Sequence, residues 1–212
     1  MARILPGETD IYAITDSRLS LGRGVEEVAT ALLGAGVRII QYREKRLKAG
    51  AMLAECVALR RLTRDAGACF IVNDHIDIAL LVEADGVHIG QEDLPPRDVR
   101  RLVGPDMIIG LSTHGPGQAK AALQAGVDYI GVGPVFATQT KEDVVDPVGF
   151  EYLDWVVKNC PAMPFVAIGG IKEHNVSDVV AHGARCCCLV SELVGAVDVG
   201  GAVAAVRRRM AR

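Results

Sequence analysis

The chain has 212 residues, half of them hydrophobic but only 4% aromatic, so its core must be built from aliphatic side chains. A formal net charge of −3 offers no basic field of the kind that nucleic acid requires. Residues 1–10 lack the apolar run of a signal peptide, and no 18-residue apolar stretch suggests a membrane span, which points to a cytoplasmic protein.

After an N-terminal extension at residues 1–10, a phrase recurs along the chain: a helix ending in Ala or Gly, a small turn, then a hydrophobic run. It reads LLGAGVRIIQ, TRDAGACFIVN, LVEADGVHIG, ALQAGVDYIGVG and VAHGARCCCLV. Glycine suits these turns because it accepts positive φ after a helix C-terminus. The runs lack polar alternation, as expected of parallel strands covered on both faces. Strands are predicted at 11–15, 37–42, 69–73, 86–89, 107–111, 128–132, 164–168 and 185–190. Helices are predicted at 24–34, 49–66, 75–83, 96–103, 116–125, 149–159, 174–182 and 198–211. Eight alternations without a linker-like break predict an α/β fold: a single (β/α)8 TIM barrel spanning 1–212 as one domain. An open doubly wound sheet is the alternative, but no Gly-rich dinucleotide fingerprint follows the first strand.

Such a barrel works at the carboxyl ends of its strands. The second strand is the most telling, because side chains alternate faces along a strand. Ile39, Gln41, Arg43 and Lys45 share one side, and Ile40, Tyr42 and Glu44 the other. One face thus runs from an apolar residue into an amide and two cations, suited to an anion; a solvated charged loop is the plainer reading. The third strand ends in Asn73-Asp74, which could serve a ligand or cap a helix with Asp77 in its first turn. Gln91-Glu92-Asp93 follows the fourth strand, with Asp93 in a loop before Pro95-Pro96. Two carboxylates from neighbouring strand ends suit Mg2+, which takes one or two of them plus phosphate oxygens and waters. Ser112 ends the fifth strand, where its hydroxyl could bond a phosphate or cap the next helix. The sixth strand leads into a long loop presenting Thr138, Thr140 and Lys141. Gly169-Gly170 after the seventh strand and Val190-Ser191 after the eighth fit a phosphate cup of backbone N–H groups.

The six cysteines lack zinc-ligand spacing, and adjacent ones in Cys186-Cys187-Cys188 must point to opposite faces; all read as small buried hydrophobes in a reducing compartment. His88 has core spacing, while His75, His114, His174 and His182 fall at helix ends, where surface or capping roles are expected. No side chain stands out as a nucleophile. Two anion sites, one with a metal, imply an enzyme joining two phosphorylated small molecules with diphosphate leaving.

QYREK at 41–45, Asn73-Asp74, HIGQED at 88–93, Ser112-Thr113-His114, GPVFATQTK at 133–141, AIGGI at 167–171 and Val190-Ser191 occur in the order and spacing of a known family. In these motifs the chain resembles the thiamine phosphate synthases over nearly its whole length. The resemblance implies condensation of 4-amino-2-methyl-5-hydroxymethylpyrimidine diphosphate with 4-methyl-5-(2-phosphooxyethyl)thiazole, with Mg2+ as cofactor. It assigns Gln41, Arg43, Lys45 and Asn73 to the pyrimidine diphosphate, Asp74 and Asp93 to Mg2+, and Ser112 and Lys141 to further diphosphate contacts. It gives Thr138, Thr140, Gly170, Val190 and Ser191 to the thiazole phosphate. Arg43, Lys45, Ser112 and Lys141 are the expected catalytic groups. Two departures stand out: Glu192-Leu193 after Ser191, where Glu192 is expected to face solvent, and His75 in place of a longer basic residue. Rival readings are a thiazole tautomerase-like relative, disfavoured by Asp74, Asp93 and Lys141, and a non-catalytic phosphate-binding barrel. A sugar-phosphate aldolase would need a Schiff-base lysine, and an epimerase an acid/base pair; neither is evident. Small-molecule substrates are the expected partners, and the sequence leaves a homo-oligomer open.

Overall fold

The computed structural model describes residues 3–138 and 145–211. Eight strands, β1 (Ile11–Ile14), β2 (Ile39–Tyr42), β3 (Cys69–Asn73), β4 (Gly86–Ile89), β5 (Ile108–Thr113), β6 (Tyr129–Val132), β7 (Phe165–Ala167) and β8 (Cys187–Leu189), pair in sequence order. All pairs are parallel, and β8 returns to β1 through Ile11↔Cys187 to close the barrel. Around it run α1 (Val25–Gly34), α2 (Ala49–Asp65), α3 (Ile76–Leu81), α4 (Pro96–Val103), α5 (Pro116–Ala125), α6 (Gly149–Asn159), α7 (Val176–Ala181), α8 (Ser191–Val194) and α9 (Val199–Met210). The predicted elements are all present. The addition is α8, a single turn starting at Ser191, too short to show any periodicity in the sequence.

Strand alternation divides the core in two. Outward residues such as Ile40, Tyr42, Val72 and Cys187 pack under the helices. Inward residues, among them Tyr12, Ile39, Cys69, Ile71, Tyr129, Cys186 and Cys188, fill the axis. The triplet Cys186-Cys187-Cys188 therefore alternates in, out, in, as its position on a strand demands. Small residues inside make room for two tyrosines. At Gly110 of β5 an added Cβ would lie 2.1 Å from Tyr129 Cζ and 2.5 Å from His88 Nδ1, so only glycine fits.

The amino-terminal end of the barrel is closed for stability. Ile4 and Leu5 of the N-terminal extension pack against the inner cluster. Aspartates just ahead of strands are clamped by helix arginines: Arg60 of α2 to Asp85 at 2.8 Å, Arg100 of α4 to Asp128 at 2.6 Å, Arg207 of α9 to Asp10 at 2.7 Å. Asp85 and Asp128 also accept the backbone N–H of Phe70 and Ile109 on the neighbouring strands, which locks strand register. Arg3 of the extension joins Asp128 as well.

Two outcomes are expected. Asp85→Ala should cost roughly 3–5 kcal/mol in urea unfolding, because the buried Arg60 guanidinium loses its carboxylate and the Phe70 N–H its acceptor. All six thiols are free and buried, and burial pushes Cys56, Cys69 and Cys187 up to about 12. Thiol titration with a disulfide reagent at neutral pH should find the native protein unreactive and six thiols after unfolding.

Candidate active site

At the carboxyl ends of the strands lies a cavity of about 1050 Å3. Its wall combines Arg43 and Ser112 on one side with Gly169, Gly170, Val190 and Ser191 on the other, and Thr138 between. The alternation of β2 continues past the strand end, as the sequence predicts. Gln41 turns inward and is buried, its Nε2 donating to Tyr12 Oη at 2.9 Å. Arg43 lines the cavity, and its Nη1 lies 3.3 Å from the buried carboxylate of Asp16. Glu44 points the other way and fastens the loop: one carboxylate oxygen accepts the N–H groups of Lys45 at 2.7 Å and Arg46 at 2.6 Å.

Lys45 reaches across to Asp74, Nζ to Oδ2 at 2.5 Å. Asp74 sits in the left-handed region with φ +60°, which only glycine visits freely and Asp tolerates better than most. That turn, just past β3, brings its carboxylate to Lys45. Asn73 is buried as the last residue of β3, in register with His88 of β4. The helix-cap reading of Asn73-Asp74 fails, because the N-cap of α3 is His75, which makes no side-chain cap bond. Asp93 is a loop residue whose Oδ2 accepts the Gly90 N–H at 2.7 Å. Among the described residues no group of three acidic, His or Cys ligands forms a cage. Asp74 and Asp93 stand on the adjacent β3 and β4 loops, and among the described residues one oxygen of each has no partner, which suits a hard dication that draws its other ligands from phosphate and water.

Ser112 does not cap α5, whose N-cap is Gly115; its Oγ lies 3.0 Å from His88 Nε2. The loops after β6 and β7 meet backbone to backbone. Val135 and Phe136 donate to Ile168 and Gly169 carbonyls, and a Cβ at Gly169 or Gly170 would lie 2.3 Å from Pro134 or 2.6 Å from the Ala137 carbonyl. Both glycines also hold positive φ. Among the described residues the N–H groups of Gly170 and Ile171 find no protein acceptor, and Asn175 braces the turn through the Gly170 carbonyl and the Lys172 N–H. This is a cup of backbone donors beside Ser191. Thr140 and Lys141 lie outside the described residues.

Glu192 does not simply face solvent. It bends toward the β7 loop, where Oε1 accepts the Glu173 N–H and Oε2 lies 3.3 Å from Lys172 Nζ. Lys172 also donates to Ser191 Oγ at 2.6 Å, so a cation stands at the cup that the sequence reading passed over. Its signal was available, since Lys172 stands two residues after Gly170. Asp16, after β1, is a second omission. His114 and His174 both line the cavity, the half-buried His114 with its Nδ1 2.6 Å from the Gly133 carbonyl and His174 still exposed.

A family model described as thiamine monophosphate synthase matches residues 11–193. A thiamine-phosphate synthase of Lawsonia intracellularis is 58% identical over 202 residues, covering 94% of this chain and 93% of that protein. One from Pelotomaculum thermopropionicum is 59% identical over 205 residues, covering 97% and 94%. A solved thiamine phosphate pyrophosphorylase from Pyrococcus furiosus superposes with a TM-score of 0.86 at 35% identity, covering 95% of each chain.

The Glu44 anchor carries a pH signature. Burial raises its carboxyl, but the Ser17 hydroxyl and the N–H groups of Arg46, Lys45 and Leu47 outweigh that and hold it below the ordinary 4.5. A lowered folded-state value contributes stability that is complete above 4.5 and is lost as pH falls through the folded value. Glu44→Gln should therefore cost about 1–2 kcal/mol at neutral pH. Paired unfolding curves should show that gap closing as pH drops below 4.5.

Proposed function

The chain belongs to the thiamine monophosphate synthase family, and from that premise we propose that its cavity joins 4-amino-2-methyl-5-hydroxymethylpyrimidine diphosphate to 4-methyl-5-(2-phosphooxyethyl)thiazole, releasing diphosphate. It is a transferase of thiamine biosynthesis, acting on small molecules. The observation that carries the substrate reading is that one cavity has a cationic, hydroxyl-bearing wall at Arg43 and Ser112 and a backbone cup at Gly170 and Ser191. Two phosphorylated molecules can thus face each other in a single chamber. Among the described residues no helix is long and apolar enough to cross a membrane. Six free cysteines suit a reducing cytoplasm.

The C–O bond to the pyrimidine methylene breaks with its electron pair going to diphosphate, and the thiazole nitrogen lone pair forms the new C–N bond. The pyrimidine amino group delocalises the positive charge that develops, so the protein supplies no nucleophile. Its contribution is charge stabilisation and alignment. Arg43, Lys45 and Ser112, with Lys141, receive the departing diphosphate, while Gln41 and Asn73 hold the pyrimidine. Gly170, Val190, Ser191 and Thr138, with Thr140, hold the thiazole phosphate so that its nitrogen lies in line. Asp74 and Asp93 would hold Mg2+, which supplies a further positive charge to the leaving diphosphate.

Incubation with both substrates, with and without Mg2+, should give thiamine phosphate and diphosphate in equal amounts only when Mg2+ is present. Turnover of the thiazole phosphate alone would instead favour the tautomerase reading. Arg43→Ala and Ser112→Ala should each lower kcat roughly 10²–10³-fold while the thermal midpoint changes little.

A further inference from the structure

Five side chains form an unbroken hydrogen-bonded chain through the barrel interior. Gln41 Nε2 lies 2.9 Å from Tyr12 Oη, Tyr12 Oη 2.7 Å from Tyr129 Oη, Tyr129 Oη 3.0 Å from His88 Nδ1, and His88 Nε2 3.0 Å from Ser112 Oγ. The residues come from β1, β2, β4, β5 and β6, so the chain spans more than half the circumference. Its two ends are the proposed contacts to the pyrimidine and to the diphosphate. Its three middle members belong to neither.

Counting hydrogens fixes its direction. An amide nitrogen can only donate, so the Tyr12 oxygen accepts from Gln41 and the one Tyr12 hydrogen passes to Tyr129. The Tyr129 hydrogen then goes to His88 Nδ1. That nitrogen must be bare, so the neutral ring carries its proton on Nε2 and donates it to Ser112 Oγ. With Ser112 already accepting from the barrel, its single hydrogen is left for a ligand. One of the two Gln41 N–H hydrogens goes to Tyr12, and its Oε1, which has no partner among the described residues, can accept from a ligand. Both phenols are 1% exposed, and burial pushes them well above their ordinary range, so they stay protonated and the direction holds.

We propose that Tyr12, Tyr129 and His88 are positioning residues that polarise Gln41 and Ser112 in opposite senses: Gln41 accepts from the pyrimidine amino group while Ser112 donates to the departing diphosphate oxygen. This rests on the substrate reading above and extends it to residues that touch no substrate. As the C–O bond breaks, positive charge grows on the amino group and negative charge on the diphosphate. Every bond in the chain runs from the first toward the second. A stronger bond at Gln41 sharpens each donor in turn down to the Ser112 hydroxyl, because aligned hydrogen bonds polarise one another. The fixed dipole of the chain thus matches the charge separation of the transition state and needs no reorganisation when that charge appears.

Tyr129→Phe cuts the chain at its centre and keeps the ring. The expected kcat falls roughly 10–100-fold, with KM for the thiazole phosphate unchanged, as for other changes one shell behind a contact. The decisive measurement is a double-mutant cycle with Ser112→Ala. Because Tyr129 acts partly through Ser112 and partly through Gln41, Tyr129→Phe costs several-fold less in the Ser112→Ala background than in the wild type. Tyr12→Phe serves the same cycle if Tyr129→Phe does not fold. An unchanged kcat in the single variant, or losses that multiply in the double variant, overturns the inference. Absence of turnover in the wild-type protein with both substrates and Mg2+ would instead sink the substrate reading.

Discussion

Closing eight parallel strands on themselves leaves an axis that only alternate residues can reach, and every polar group placed there must find its partner inside. Most of the axis obeys the simpler solution of apolar or nearly apolar side chains: Ile39, Cys69, Ile71, Val166, Cys186 and Cys188. The cysteines matter through their size. They and Gly110 leave the volume that Tyr12, Tyr129 and His88 occupy, and those three can be polar because they satisfy one another. A burial of this kind is costly when half satisfied and rigid when complete.

The two ends of the barrel have separate duties. At the amino-terminal end, arginines from α2, α4 and α9 are spent on aspartates, two of which, Asp85 and Asp128, also accept neighbouring strand N–H groups, and the extension plugs the opening. At the carboxyl end the same kind of pairing recurs, but in loops: Glu44 holds its own loop by backbone N–H groups, and Asn175 holds the β7 turn. The functional groups are therefore carried on loops that have been made stiff locally, standing on a base made stiff globally. That division lets the mouth keep strained features such as the left-handed Asp74 without loss of the fold.

Much of this was legible in the sequence for definite reasons. The period-two alternation over residues 39–45 correctly sends Gln41 and Arg43 inward and Tyr42 and Glu44 outward, because a strand end preserves its phase. The unalternated runs and glycine turns are enough to place eight strands. What escaped are facts that depend on closure. Tyr12 and Tyr129 are 117 positions apart and read individually as bulky strand residues, so their contact at 2.7 Å exists only once β1 and β6 face each other across the axis. His88 reads as a packed core residue, which is true, yet the core it packs into is a polar one. Glu192 was misplaced because α8 is too short to leave a signal, and its first turn aims the side chain at Lys172.

The charge balance of the mouth resolves an apparent conflict between a net charge of −3 and the proposed site for two anions. Three described cations at the mouth are delivered with a carboxylate: Arg43 with Asp16, which Arg18 shares, Lys45 with Asp74, and Lys172 with Glu192. Paired in this way they create no long-range basic field that would draw nucleic acid. The pairs also fix long side chains in place before a ligand arrives, so little rotamer freedom remains to be lost on binding. An incoming phosphate can then compete for a cation already aimed at it, and a dication bound to Asp74 would release Lys45 toward the same anion. Glu192, which alone would repel a phosphate in the cup, instead holds Lys172 beside Ser191. On the proposed substrate reading, selectivity for phosphorylated ligands comes from geometry at a few ångströms, and the overall charge of the chain is left free to be slightly negative.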